Sequence, residues 1–379
     1  MKIAIISMIR DAWGGSEELW YDMAKVALPK GYEVLHLSYE HKPLHPKLNE
    51  LISLGLREYH RPSISNQVKG LNRLIKLSIN YLRKKINSPI RKLFGQNPDV
   101  IIYNGTCYSI TDEKQILHAL KNFNGEFFLI GHFNENRSLT SSDIATIIKS
   151  YQKATKVFFT NYRDIKAAEM GLDYKIPNAK VIRNPVNMKD KTIIPFPQSH
   201  TIEMAMVGNL VIIHKGQDIV LNILRKEDWK NKSWRLNIYG TGNDESLLKE
   251  MAAKFGLNEK VVFHGKVNDI RTIWQKNHIL LMPSRMEGMP LAVVEAMLCG
   301  RPCIVTDVGG HIEWVNENLE GWIADKPNIE SFEAAMNKGW AQKQYWDMVG
   351  RQAHKKALSL YDPNPGKTLL GFVENSLKK

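Results

Sequence analysis

Two series of short, continuous apolar runs, separated by helix-like segments, constrain this chain more than any other feature. The first series is 2–8, 33–38, 99–104, 126–132 and 156–161; the second is 204–208, 235–239, 260–264, 278–283 and 303–306. Within them apolar and polar residues do not alternate. Strands read that way when both faces are covered, as in parallel sheets flanked by helices. Strand–helix repetition predicts an α/β fold, and two series in 379 residues predict two doubly wound domains. The break is expected at 187–201, where Pro195 and Pro197 interrupt a polar stretch. A last helix, 367–379, follows the breaker Asp362-Pro363-Asn364-Pro365-Gly366.

Charge is unevenly spread between the halves. Residues 1–198 hold 29 Lys and Arg against 18 Asp and Glu, whereas 199–379 hold 23 against 21. An anionic ligand or surface is therefore expected at the first half. The segment 57–96 alone has ten basic residues and one acidic residue, Glu58. Leu71, Leu74, Ile75, Leu82 and Ile86 fall near helical spacing there, which predicts a basic amphipathic helix and a second short one. Such a helix is either a solvated surface or a patch that sits on anionic lipid. Its few aromatics are not interleaved as a stacking platform, so nucleic acid is not an expected partner. The three cysteines, Cys107, Cys299 and Cys303, have no metal-ligand spacing and suit a reducing, cytoplasmic setting. The first residues lack the long apolar core of a signal peptide.

The run 279–300, ILLMPSRMEGMPLAVVEAMLCG, carries most of the chemistry. It reads as a strand, a turn at 285–288, and a helix starting near Pro290, where a missing N–H is no loss. Gly288 lets backbone approach a ligand, and the free N–H groups of a helix start suit a diphosphate. Glu295 stands in an otherwise apolar helix. A buried carboxylate must accept hydrogen bonds. The paired hydroxyls of a ribose would supply two; backbone N–H groups or a lysine would serve equally. Glu287 and Glu295 are offset by roughly 8–9 Å on helical geometry, too far for a retaining glycosidase pair at ~5–5.5 Å; an inverting pair could fit that distance, but Glu295 would lie down the helix, away from the mouth. Two contacts to different parts of one long ligand fit better.

EGMPLAVVE resembles the Glu-x7-Glu signature of glycosyltransferase family 4, and the resemblance extends over nearly the whole chain. It implies a GT-B fold: two Rossmann-like doubly wound α/β domains facing a cleft. The expected division is 1–195 for the acceptor, 196–366 for the nucleotide sugar, and 367–379 as a helix crossing back to the first domain. By that resemblance Glu295 binds ribose hydroxyls, Glu287 contacts the transferred sugar, and Gly288, Met289, Pro290 and Leu291 offer backbone to the donor. His132, at the end of the run 126–131, corresponds to a histidine placed beside that sugar. Without the family it would read as a satisfied strand-end histidine.

Other motifs are weaker alone. Gly14 and Gly15 lie between the first strand and helix, where backbone can meet phosphate or acceptor, or can simply close a corner. Val207-Gly208-Asn209-Leu210 with His214-Lys215-Gly216 resembles the family's G-R-L…K-G block. Lys215 matches the lysine that neutralises the diphosphate. Asn209 stands where an arginine is usual and brings no charge, so Arg183 or Arg285 is a candidate to compensate. Gly240, Gly242 and Val267 lie in loops that in the family frame the nucleobase. No Asp-x-Asp occurs, and with it go the hard oxygen ligands of Mg²⁺ or Mn²⁺. The resemblance thus implies a retaining, metal-independent transferase with no cofactor beyond its donor. Its partners would be a nucleotide sugar and a glycan or lipid-linked acceptor, as in cell-surface polysaccharide or lipopolysaccharide synthesis. Its place would be the cytoplasm, or the inner face of the membrane. Two other classes stay open: a nucleotide-sugar epimerase or phosphorylase of the same fold, and a non-catalytic nucleotide-sugar-binding protein, which Asn209 would suit.

Overall fold

The computed structural model describes residues 1–62, 88–135 and 137–378. The chain forms two compact units, Met1–Pro185 with Asp362–Lys379, and Val186–Tyr361. Most of the basic amphipathic helix expected within 57–96 lies outside the described residues. Of that segment, Arg57–Arg61 is a strand and Pro89–Phe94 a short helix capped by Ser88.

The first unit is built on a seven-stranded parallel sheet. Its strands are β1 Lys2–Ser7, β2 Glu33–Tyr39, β3 Arg57–Arg61, β4 Val100–Gly105, β5 Glu126–Gly131, β6 Lys156–Phe159 and β7 Ala179–Val181, in the order β3-β2-β1-β4-β5-β6-β7. Alternate residues feed opposite cores, as the two-residue period requires. Ile3, Ile5, Val100, Ile102, Phe128 and Ile130 go to one face. Ala4, Ile6, Ile101, Tyr103, Phe127 and Leu129 go to the other. That both sets are buried explains the continuous apolar runs. The C-terminal helix, Pro365–Ser376, adds Leu369, Leu370 and Val373 to the first of these cores, beside Leu19, Trp20 and Met23 of the helix Glu18–Ala27. It starts inside the expected breaker, with Pro365 in its first turn. Gly366 is required there, since a Cβ would stand 2.4 Å from the Asp22 carbonyl carbon.

The second unit has six parallel strands: β8 Ile202–Val207, β9 Trp234–Tyr239, β10 Val261–Gly265, β11 Ile279–Met282, β12 Cys303–Thr306 and β13 Gly321–Ala324, ordered β10-β9-β8-β11-β12-β13. Met204, Met206, Leu281 and Ile304 face one core; Ala205, Leu280, Met282, Cys303 and Val305 face the other. Strand order reverses direction between β1 and β4 in the first sheet and between β8 and β11 in the second. Ligands of open α/β sheets bind outside the carboxyl ends at such switch points.

The units divide at Pro185–Val186, ten residues before Pro195. The reason is packing: Met188 and Ile194 lie in a core of the second unit, and Arg301 holds the segment there. The fully buried Arg301 guanidinium donates to six carbonyls, those of Ile194, Pro195, Trp274, Asn277, Cys299 and Gly300, at 2.6–3.2 Å. Four of these close the C-terminal ends of the helices Ile270–Lys276 and Leu291–Leu298, where partial negative charge favours a cation. Burial pushes the guanidinium down to about 10, still charged at neutral pH. The three cysteines are buried and unpaired. Among the described residues no helix is long and apolar enough to cross a membrane.

Arg301→Met should leave several of these carbonyls without a donor and destabilise the second unit by about 3 kcal/mol. Urea unfolding with the wild-type midpoint would contradict that role.

Candidate functional site

In the second unit the loops leaving β8, β9, β11 and β12 interlock backbone to backbone. Gly240, at φ +126, brings the β9 loop so close to the β8 loop that a Cβ would stand 1.9 Å from the Gly208 carbonyl oxygen. At Gly242 a Cβ would stand 2.3 Å from the Leu210 oxygen. Both glycines are thus required by packing between loops, whatever they offer a ligand. Val267 is part-buried against a core of this unit.

The β8 loop ends in the short helix Ile212–Lys215. The next residue, Gly216, is left-handed, and its Cβ would lie 2.2 Å from the Pro283 oxygen at the exit of β11. Arg285 and Met286 donate their N–H groups to the His214 carbonyl at 2.8 and 3.1 Å. These contacts span the switch point and bring Lys215 to Glu287. The ammonium lies 2.9 and 2.6 Å from the two carboxylate oxygens. The Glu287 carboxylate is nearly buried, with 7 % of its side chain exposed against 24 % for Lys215. From the other side the β12 loop closes in: a Cβ at Gly309 would stand 1.8 Å from the Glu287 backbone carbonyl oxygen, and Gly310 N–H donates to the Gly288 carbonyl at 3.1 Å.

The helix Leu291–Leu298 begins directly after this turn, with Pro290 at its N-cap. Met289 and Pro290 are buried, and Gly288 and Leu291 part-buried. Glu295 is 6 % exposed and lies one turn in, on the order of 6 Å along the axis from Leu291. Arg285 is committed within the protein: its guanidinium grips Asp218 at 2.7 and 2.9 Å and also donates to the Ile212 carbonyl. Its charge is matched there by Asp218. Arg183 donates to the Thr160 carbonyl in the other unit. The Asn209 side chain is exposed, and its carbonyl accepts from Gln217.

His311 was not foreseen from its sequence context. It is fully buried behind Glu287, donates Nδ1–H to the Thr306 carbonyl at 2.8 Å, and has no partner for Nε2 among the described residues. Burial lowers its pKa, and the Glu287 charge opposes the shift. A histidine after a glycine pair carries no spacing signal of its own.

In the first unit the predicted residues sit at the other switch point. Gly14 and Gly15 lead into a turn that places Glu17 at the start of the first helix. A Cβ at Gly14 would meet nothing nearer than Ser16 Oγ at 3.7 Å, so its backbone stands open. His132 follows β5 and is buried; its Nε2 lies 2.6 Å from Asn104 Oδ1 at the end of β4. Burial pushes the imidazole down to about 3, so it is neutral at physiological pH. Asn104 donates to Glu17, and Glu17 accepts from Ser7 and Trp20 as well. Burial raises the Glu17 carboxyl, and these donors together with nearby His36 oppose that. Glu17 had a signal, being three residues before Trp20 on the apolar side of the helix. Among the described residues no three His, Cys, Asp or Glu side chains converge as a metal site.

Residues 193–356 match the family model of glycosyl transferases group 1. A Haemophilus influenzae protein named as an uncharacterized glycosyltransferase is 25 % identical over 336 residues, covering 87 % of each chain. The lipopolysaccharide 1,6-galactosyltransferase of Salmonella typhimurium is 22 % identical over 349 residues, covering 89 % of each. The crystal structure of Anabaena HepE in complex with UDP and glucose matches with a TM-score of 0.75 at 16 % identity, over 99 % of this chain and 100 % of that one. With the two parallel sheets, such likenesses show the two-domain α/β fold known as GT-B.

Two outcomes check this geometry. Gly240→Ala should destabilise the protein by at least about 2 kcal/mol through strain and overlap, whereas Gly14→Ala should leave the melting temperature near that of the wild type. His132 titrates near 6.5 when unfolded but only near 3 when folded. The unfolded chain therefore binds the extra proton between those values. The stabilisation is complete above about 6.5 and is lost as pH falls toward 3. Replacing His132 with Gln should flatten this slope in urea titrations at several pH values.

Proposed function

We propose that this chain, whose residues 193–356 match the model of glycosyl transferases group 1, moves a sugar from a nucleoside diphosphate to a glycan or lipid-linked acceptor in cell-surface polysaccharide or lipopolysaccharide synthesis. The carrying observation is the Lys215–Glu287 pair at the mouth of the helix that buries Glu295. A cation and a nearly buried carboxylate stand together beside the start of a helix, with Glu295 further along it.

In this reading Lys215 turns an N–H toward the diphosphate while still holding Glu287. The positive end of the helix Leu291–Leu298 favours the charge that develops on the leaving diphosphate. Gly288, Met289 and Pro290 shape the approach, and Glu287 accepts from hydroxyls of the transferred sugar. Glu295, deeper in the helix, accepts from the ribose. His132 contacts a sugar hydroxyl, and the backbone at Gly14 and Gly15 meets substrate. Asn209 contributes hydrogen bonds without charge, which leaves Lys215 the larger share of diphosphate recognition. The chemistry is transfer with retention, the departing phosphate taking the acceptor proton, and no metal is required. Names among the relatives support the setting: the Salmonella protein is a lipopolysaccharide galactosyltransferase, and HepE was crystallised with UDP and glucose.

A thermal-shift panel of UDP, GDP, ADP and their sugars, followed by transfer assays with the stabilising donor, tests the class and names the base. Stabilisation by no nucleotide would sink the reading. NMR of the product anomer tests retention, and activity in EDTA tests metal independence. Lys215→Ala should weaken the nucleoside diphosphate at least about tenfold, the order of one charged hydrogen bond, and barely affect the nucleoside. Glu295→Ala should weaken both. Calorimetry showing equal losses for both ligands in Lys215→Ala would remove the phosphate assignment.

A further inference from the structure

Glu17 and Asn104 are buried polar residues near the carboxyl ends of β1 and β4. Together they settle which nitrogen of His132 carries the proton. Asn104 Nδ2 lies 3.1 Å from Glu17 Oε1 and 3.2 Å from the Ser16 carbonyl oxygen. Both are acceptors, so the amide nitrogen must face them and Oδ1 must face His132. His132 Nε2, 2.6 Å from Oδ1, is therefore protonated. In the neutral ring Nδ1 is then a lone pair, and it is buried with no partner among the described residues. A buried acceptor without a donor calls for one from outside the protein.

The Glu17 end is equally fixed. Oε1 accepts from Ser7 Oγ at 2.7 Å as well as from Asn104, and Oε2 accepts from Trp20 Nε1 at 2.6 Å. An indole N–H can only donate, so the position of Oε2 must always be an acceptor. The order of donors and acceptors from Trp20 to His132 admits one arrangement.

We propose that Glu17 and Asn104 are positioning residues that hold His132 in its Nε2–H tautomer, so that Nδ1 accepts a hydrogen bond from a hydroxyl of the sugar substrate. This rests on the reading of His132 as part of the transfer site. Neutrality of the ring, kept by burial, preserves the lone pair across the physiological range.

Glu17→Gln tests it without changing size. Trp20 forces the glutamine oxygen to its own side, which turns the glutamine NH₂ toward Asn104. The amide of Asn104 then meets a donor where it had an acceptor and keeps only the Ser16 carbonyl as anchor, so its hold on the His132 tautomer weakens. Ring ¹⁵N spectra of histidine-labelled protein, assigned with His132→Ala, should show Nε2–H alone in the wild type and an added Nδ1–H population in Glu17→Gln. Transfer kcat/KM should fall about tenfold, the equivalent of one hydrogen bond in the transition state. In a His132→Ala background Glu17→Gln should cost nothing further. An Nδ1–H ring in the wild type overturns the proposal even if the variant does not fold. So does an undiminished Glu17→Gln loss in the His132→Ala background. If His132→Ala loses activity and Glu17→Gln does not, only the positioning role falls. If His132→Ala transfers like the wild type, the placement of His132 in the reaction falls as well.

Discussion

Contact between bare backbones at the carboxyl ends of β8, β9, β11 and β12 sets the geometry of the second unit. Gly240 against Gly208, Gly242 against Leu210, Gly216 against Pro283 and Gly309 against Glu287 each leave no room for a side chain. Four loops that could otherwise wander become one surface. Only on such a surface can a flexible lysine and a carboxylate be held at hydrogen-bonding distance beside a helix start. A pair of this kind on mobile loops would lose most of its worth to side-chain entropy and solvent screening. Here the carboxylate is nearly dry, and the preorganisation is supplied by the backbone before any ligand arrives.

Both units bury charge, and each solves the problem by saturating hydrogen bonds. Arg301 is surrounded by carbonyls at two helix ends, and Glu17 by a hydroxyl, an indole and an amide. The solutions differ in what they serve. The carbonyls around Arg301 belong to segments that must stay together, including the chain that enters the unit at 194–195. The donors around Glu17 lead to a histidine with a nitrogen still unspent. Burial of a charge is costly unless every lone pair or proton is used, so a saturated cluster that ends in one unused atom is informative.

Much of this was legible in the sequence, and the misses have physical causes. The ten expected strands all appear, because strands covered on both faces must be continuously apolar. The three strands that escaped, β3, β7 and β13, are sheet edges. β3 reads REYHR and is polar because it has one neighbour and one open side; β7 and β13 are three and four residues long. Glu287, Lys215 and Glu295 could be picked out because their pattern is local in sequence. Asp218, which neutralises Arg285, and Asn104, which orients His132, act across the fold and leave no local trace. The roles of Gly240 and Gly242 were equally hidden, since a glycine kept for a neighbouring loop and one kept for a ligand look alike in one dimension.

The placement of Pro365–Ser376 in a core of the first unit has a consequence for how the protein is made. That core holds Leu369, Leu370 and Val373, which a ribosome adds only after all of the second unit. During vectorial synthesis the second unit has every one of its residues before the first can finish its own packing. The face of the helix Glu18–Ala27 that receives the last helix must therefore wait uncovered through roughly half of translation. That interval, longer than the folding time of most domains, is when the nascent chain is most open to chaperones or to aggregation.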